Sequence, residues 1–540
     1  MRRTLPLLLA PLLAATFSAA SLQEALRSIQ PARIRAHLAF LSDDLLEGRA
    51  PGTRGEALAA RYISAQLALS GVEPLRGRYR HDVPLIGWRP LPASIALAFS
   101  RDGQRAALDY PADAVLWLDN GADTAVVAAD LVFAGYGTVA PEYGWNDYEG
   151  RDARGRIVLV LSGDPPALPG QPLIFEGAAL SYYGRYTYKM EEAARQGAAG
   201  VIIVHTDEGA GYGWDVVRSS WTNEQLALPT DPARASPLKM QGWMTFDAAR
   251  RVLALGGLDL NELFVRAARS DFRATPTGIA AQLRAGGRVR RFTGTNVAGI
   301  MRGSHATLRN DVVVYTAHYD HLGIGAPVAG DSIYNGAYDN ASGVALLLEI
   351  AGAFAALDTM PARSVLFLFT TAEEAGMLGA TWYTRQPLIP LARTVAALNV
   401  DGANVWGETD DVAAVGLERS TLGSAFERQA AALGLRVEGE RSPAQGFYFR
   451  SDHFPFARAG VPALYLDHGT AFRGRSAAWG DSVLTRYQTR RYHSPSDDFD
   501  PAFDLAGAAQ QGRQAFLVGY DVASSPEPPR WYPGARTFAR

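Results

Sequence analysis

The chain of 540 residues contains no cysteine. That excludes a disulfide framework, a lipid-modified cysteine and a thiolate metal ligand, so any metal must be held by His, Asp and Glu. Charge of either sign is not in excess: 52 basic and 55 acidic residues leave −3 at pH 7. Such a balance gives no electrostatic reason to expect nucleic acid or an acidic membrane surface as a partner. The one basic cluster, Arg288 to Arg291 broken by Val289, reads as a solvated turn. No apolar run of about 20 residues suited to a bilayer is found, so no membrane span is expected in the mature chain. Internal repeats and low-complexity tracts are missing too. A Gly-x-Ser-x-Gly elbow is likewise absent, which together with the lack of cysteine weakens a nucleophilic hydrolase reading.

What is present is an ordinary globular composition, 48% apolar, in a length that suits two or three domains. Arg2-Arg3, the apolar Leu5 to Phe17 and Ser18-Ala19-Ala20 read as a secretory signal cleaved after Ala20, giving a secreted or periplasmic protein. Helical patterns cover Ile34 to Leu46 and Glu56 to Ser70, with Gly71 placed to end the second. Between about Ile95 and Gly163 short strands alternate with Gly and Pro turns, and a helix over Lys189 to Gln196 precedes a strand over Gly200 to Val204. The resulting domain plan is a signal peptide over 1–20, a first catalytic segment over 21–110 and an inserted α/β domain over 111–289. A second catalytic segment over 290–523 and a Pro-rich tail over 524–540 complete it. Gly135 to Ala140 fits a dinucleotide fingerprint on paper, but Pro141 and the lack of a following helix argue against it.

The most informative stretch is Asp311 to Asp401, where three apolar segments each run into metal-binding residue types. Val312 to Ala317 runs into His318 and Asp320, Ser364 to Thr370 leads to Glu373-Glu374, and Val395 to Val400 stops on Asp401. Continuous runs of this kind read as strands buried on both faces of a largely parallel sheet, whose carboxyl ends collect ligands. Asp339 precedes the helical run from Val344, where it is either an N-cap or a ligand facing the same rim. Asp320 can accept the second imidazole N–H of His318. Two adjacent carboxylates at the end of an apolar strand are expensive unless something positive neutralises them. With His493 in the turn-rich Tyr492 to Asp498 loop, the donors His318, Asp339, Glu374, Asp401 and His493 suffice for two metals if one carboxylate bridges. Nitrogen and carboxylate donors suit zinc, with manganese or cobalt admissible.

The motifs His318-Tyr319-Asp320, Asp339 to Gly343, Glu373-Glu374, Asn399 to Gly402 and Tyr492-His493-Ser494, in this order, resemble the co-catalytic zinc exopeptidases. That family includes bacterial leucine aminopeptidases and glutamate carboxypeptidase II. The resemblance implies a mixed, largely parallel α/β catalytic domain and a protease-associated insert. It also implies two zinc ions bridged by Asp339, one completed by Glu374 and His493 and the other by His318 and Asp401. Glu373 would be the general base, and Tyr448, by the Ser451-Asp452-His453 that follows it, would stabilise the oxyanion. Asp452 and His453 read as structural, His321 and His468 as pocket lining. The expected substrate is a peptide shortened from its amino end. A carboxypeptidase or dipeptidase on the same scaffold, a glutaminyl cyclase and a receptor-like homologue without metals are the alternatives, and oligomeric state is not legible.

Overall fold

The computed structural model describes residues 20–540 apart from 119–120, 167–174, 176, 178, 230–235, 237, 536–537 and 539–540. Almost all of the expected signal segment therefore lies outside the described residues. The chain divides into two compact units, one of Met1–Val83, Thr293–Arg441 and Arg450–Arg540, the other of Pro84–Phe292 and Ser442–Phe449.

The first unit is built on a mixed sheet. Its centre is four parallel strands in the order Ser364–Thr370, Val312–His318, Thr394–Asn399 and Ala463–His468. Antiparallel neighbours flank them: Val297 to Met301 pairs with Phe369 to Val365, and Asp411–Val415 pairs with the strand ending at His468. The strands Val312–His318 and Ser364–Thr370 are buried along their whole length, as their unbroken apolar runs require. The helix Gly343–Ala355 connects them and is apolar nearly all round, because it packs between the sheet and the helices Pro31–Leu41 and Ala506–Ser524. Tyr315, on the central strand, donates its hydroxyl to the Ala515 carbonyl at 2.7 Å. A Cβ at Gly519 would come within 1.9 Å of that hydroxyl, so the helix can lie this close only with glycine there.

One sequence expectation shifts in this unit. The pattern from Ile34 ends as a helix at Leu41 and continues as a 3-10 turn over Asp44–Arg49, where Asp43 caps Leu45 N. The tail beyond Ser524 is an extended strap: Arg363 donates to the Ser525 and Pro526 carbonyls, and the Trp531 indole donates to Gly460.

The second unit has its own core and its own sheet. The strands Thr124–Phe133, Ile157–Leu161, Gly200–His205 and Met240–Thr245 run parallel, with Ala114–Trp117 antiparallel at one edge. The helices Tyr186–Arg195 and Phe246–Ala254 are among those that cover it. At the other edge lie residues of the long strand Thr275–Met301, then Ala96–Arg101 and Gln104–Leu108. That pairing places residues 84–110 in this unit, whereas the sequence reading put the boundary after 110. It also corrects the reading of Arg288 to Arg291 as a turn: all four lie within a strand, with the three arginines exposed.

Candidate metal centre

The parallel register brings the polar strand ends level. His318 pairs with Thr370, three residues before Glu373, and Thr316 pairs with Asn399, two before Asp401. Asp339 reaches the same rim from the tight turn Ala337–Ser342, and Ser342, not Asp339, occupies the N-cap position of the following helix. The N-cap alternative for Asp339 is therefore set aside. Its backbone N–H instead donates to Asp497 Oδ2 at 3.1 Å, and that of Tyr338 to Asp497 Oδ1 at 3.1 Å.

Five of the residues singled out by sequence come together in one cluster. His318 Nε2 lies 3.0 Å from Asp401 Oδ1 and 3.2 Å from Asp339 Oδ1. The other Asp339 oxygen, Oδ2, lies 3.4 Å from His493 Nε2, which is 3.0 Å from Glu374 Oε2. Asp339 thus presents one oxygen to each of two groups. Donor atoms of His318, Asp339 and Asp401 lie within 4.8 Å of one another, and so do those of His321, Asp339 and Glu374. Histidine nitrogens and carboxylate oxygens at this spacing fit zinc or a similar divalent ion.

His321 is the residue sequence reasoning underrated. Expected only as pocket lining, it is buried and its Nδ1 lies 2.6 Å from Glu374 Oε1, which leaves Oε2 turned to His493. Its spacing of three from His318 was the available signal. Asp320 behaves differently from expectation: the Nδ1 of His318 is closer to the Asp320 carbonyl, 3.3 Å, than to the carboxylate, 3.7 Å. The carboxylate accepts from Glu373 N at 3.1 Å and so fixes the Glu373 backbone. Ser451 donates to Asp401 Oδ2 at 2.6 Å, and Thr370 donates to Asp452. Tyr448 is buried in the turn Phe447–Phe449, a segment that belongs to the second unit. His468 contacts the Tyr338 hydroxyl at 3.0 Å through Nε2.

Arg49 was not singled out by sequence at all. Fully buried, its guanidinium donates to the carbonyls of Leu41, Tyr319, Asn335 and Gly336, so it ties the turn before Asp339 to the loop after His318. Glu56 does similar work with the opposite charge, accepting from Gly52 N, Thr295 N and the Thr371 hydroxyl.

The electrostatics of this cluster ask for cations. Burial pushes Asp320 up to about 8 and Asp452 and Asp497 up to about 6. Burial, with Asp401, Asp452 and Glu374 nearby, also holds Glu373 well above the usual carboxylate range. Against burial, His318 and His493 hold Asp339 well below that range, and His493 brings Glu374 to about 2. Burial pulls Arg49 down to about 10 in spite of the acids around it. Seven acidic groups packed with so few cations cannot all ionise unless divalent ions join them. Three non-glycine residues of the cluster and its rim take positive φ, Arg49 at 53°, Ala372 at 55° and His493 at 54°, a strain of about 1 kcal/mol or more each that recurs at functional sites.

A mixed α/β sheet whose parallel strands carry paired carboxylate–histidine groups at their carboxyl rim defines the class, an α/β protein with candidate metal sites. The family match is more specific: residues 296–516, which hold every group of the cluster except Arg49 and Glu56, match the model of peptidase family M28. Leupeptin-inactivating enzyme 1 of Streptomyces exfoliatus is 29% identical over 224 residues, 41% of this chain and 47% of its own. An aminopeptidase of Pseudomonas aeruginosa is 33% identical over 190 residues, 34% of this chain and 31% of its own. The chain therefore spans about half or less of these curated relatives. An aminopeptidase from Aneurinibacillus sp. strain AM-1 shares the fold at TM-score 0.53 and 20% identity, covering 94% of this chain and 97% of its own.

Proposed function

We propose that this protein is a zinc-dependent exopeptidase, an aminopeptidase that releases N-terminal residues from peptides. The observation that carries the reading is the Asp339 carboxylate, with one oxygen facing His318 and Asp401 and the other facing His493 and Glu374. His318, Asp401 and Asp339 would hold one ion, and Glu374, His493 and Asp339 the second, with His321 turning Glu374 toward its site. Bound in pairs, such ions supply a water poised to attack and polarise the scissile carbonyl.

The chain's own residues do the proton work. Glu373 Oε2, 4.0 Å from His318 Nε2, stands beside the ligands and has a raised proton affinity. It is suited to take the proton of the attacking water and return it to the departing amine. Asp320 holds Glu373 in place through its backbone, and Tyr448 is assigned, from the motif that follows it, to donate to the oxyanion. We take the second unit to be a protease-associated module, and the N-terminal segment to export the chain to the periplasm or beyond. Among the described residues no helix is long and apolar enough to cross a membrane.

The deciding experiment is mass spectrometry of an unblocked tripeptide incubated with the enzyme, with and without a zinc chelator. Chelator-sensitive loss of the first residue is the expected result. Loss of the last residue would transfer the specificity to a carboxypeptidase, and an intact peptide would overturn the general exopeptidase reading.

A further inference from the structure

Beside the metal centre, on the first unit, lies a cavity of about 300 Å³ that the exopeptidase reading does not use. Its walls are aromatic: Tyr338, Trp406, Trp479 and Tyr487 all line it, together with Val483. Tyr338 packs at 5.0 Å from Trp406 and 4.5 Å from Tyr487 between ring centroids, and Trp406 and Trp479 are only half-buried. Flat apolar walls left partly open to water gain free energy when a ligand covers them.

The charges around it are unequally satisfied. Of the acids, Asp497 accepts from two backbone N–H groups and from Tyr487, Asp500 accepts from Ala502 N and lies 4.0 Å from Arg491, and Asp504 accepts from Ala506 N. The cations are less well served. Arg475 lies over the Trp479 ring at 4.9 Å, and neither it nor Arg486 has a carboxylate within salt-bridge distance among the described residues. Trp479, Val483 and Arg486 lie at helical spacing on Ala477–Arg490, so one helix face offers an aromatic wall, an apolar floor and a guanidinium in sequence.

We propose that this cavity is a second binding site, for a small carboxylate carrying a flat apolar body. The body lies among Trp406, Trp479 and Tyr338, and the carboxylate is received by Arg475 and Arg486, whose planar guanidinium groups match it. The site is wired to the metal centre through Tyr338 and Asp497, since Asp497 accepts from the N–H groups of both Tyr338 and Asp339. A free small acid and the carboxyl end of a peptide present the same chemistry here.

The proposal does not depend on peptidase activity, and its test reads binding. Titrate the zinc-loaded full chain with 3-phenylpropionate and with the neutral 3-phenylpropionamide, by calorimetry and by quenching of tryptophan fluorescence. The acid should bind at least about tenfold more tightly than the amide, a difference worth about 1.4 kcal/mol. The Arg475→Gln, Arg486→Gln double variant should erase that difference without changing zinc content, and Trp479→Phe should reduce the quench. A preference for the acid that survives in the double variant but vanishes on chelation would place the ligand on the metals and overturn the proposal. Equal binding of acid and amide would overturn it also. Acetyl-Ala-Ala-Phe, blocked at its amino end, separates the sources: tighter binding than 3-phenylpropionate assigns the site to peptide carboxyl ends, and weaker binding to free small acids.

Discussion

Asp339 is the residue on which both halves of the centre depend, because its two oxygens face different imidazoles. Asp339→Ala is expected to lose metal from both sites, read by metal analysis of fresh protein, and quantitative retention would put the bridge elsewhere. Glu373→Ala should keep the metal content and lower turnover by roughly 10²–10⁴-fold, the usual contribution of a positioned general base. A variant with substantial residual activity would remove Glu373 from that role. The histidines set a pH dependence. In the metal-free protein, neighbouring carboxylates raise His318 and His493 well above the ordinary imidazole value, in opposition to burial. Zinc must displace those protons, so apparent zinc affinity should climb as pH rises from 6 to 8, by up to about tenfold per unit for each proton released. The metal-free fold depends on pH in the opposite direction. Its stabilisation by the protonated imidazoles is complete below their unfolded value of about 6.5 and is lost as pH rises through the raised folded values. Competition titrations against a chelator, and thermal unfolding with and without zinc, check both.

At the scale of elements, the turn that carries Asp339 is held by its neighbour. Asn340 donates to the Val400 carbonyl at 3.0 Å and accepts from Gly343 N at 3.0 Å and Gly402 N at 2.8 Å, joining the Asp339 turn to the loop after Asp401. Asn340→Ala leaves these buried groups without that partner, at about 1–3 kcal/mol for each. Chemical denaturation should therefore register a loss of several kcal/mol, together with weaker zinc retention. Much of the strand framework could be read from sequence, because unbroken apolar runs of seven residues have few other uses. The runs over Val312 to Ala317 and Ser364 to Thr370 lie on observed strands within a residue. Less legible was what holds the rim together. Arg49 sits in a turn-rich stretch with no period, and its partners are backbone carbonyls, which carry no sequence signal. Asp497 reads from sequence only as part of the turn-rich loop after His493, and only the fold reveals that it caps the Tyr338–Asp339 backbone. Arg288 to Arg291 misled for the converse reason: a charged run on the exposed face of a strand resembles a turn when strand partners are distant in sequence.

At the scale of the molecule, two separate hydrophobic cores predict two unfolding events. Calorimetry of the full chain should resolve two transitions, of which only the one belonging to the metal-bearing unit moves upward with zinc. Ligand at about 100 times its dissociation constant adds about 2.7 kcal/mol to the unit that binds it. A single transition that shifts as a whole would show that the units unfold together. The unit that holds the His318–His493 cluster is assembled from three stretches, the first of them separated from the others by residues 84–292 of the second unit. Arg49 makes that discontinuity consequential, since its side chain, from the first stretch, fastens the loops around His318 and Asp339 in the second. On a ribosome, then, the part made first waits unpartnered while residues 84–292 are synthesised, and His493 arrives later still. On the proposed exopeptidase reading, a protein wired in this way would have no active nascent form: its cluster would be assembled only after nearly the whole polypeptide had emerged, which would keep it harmless to its maker during translation.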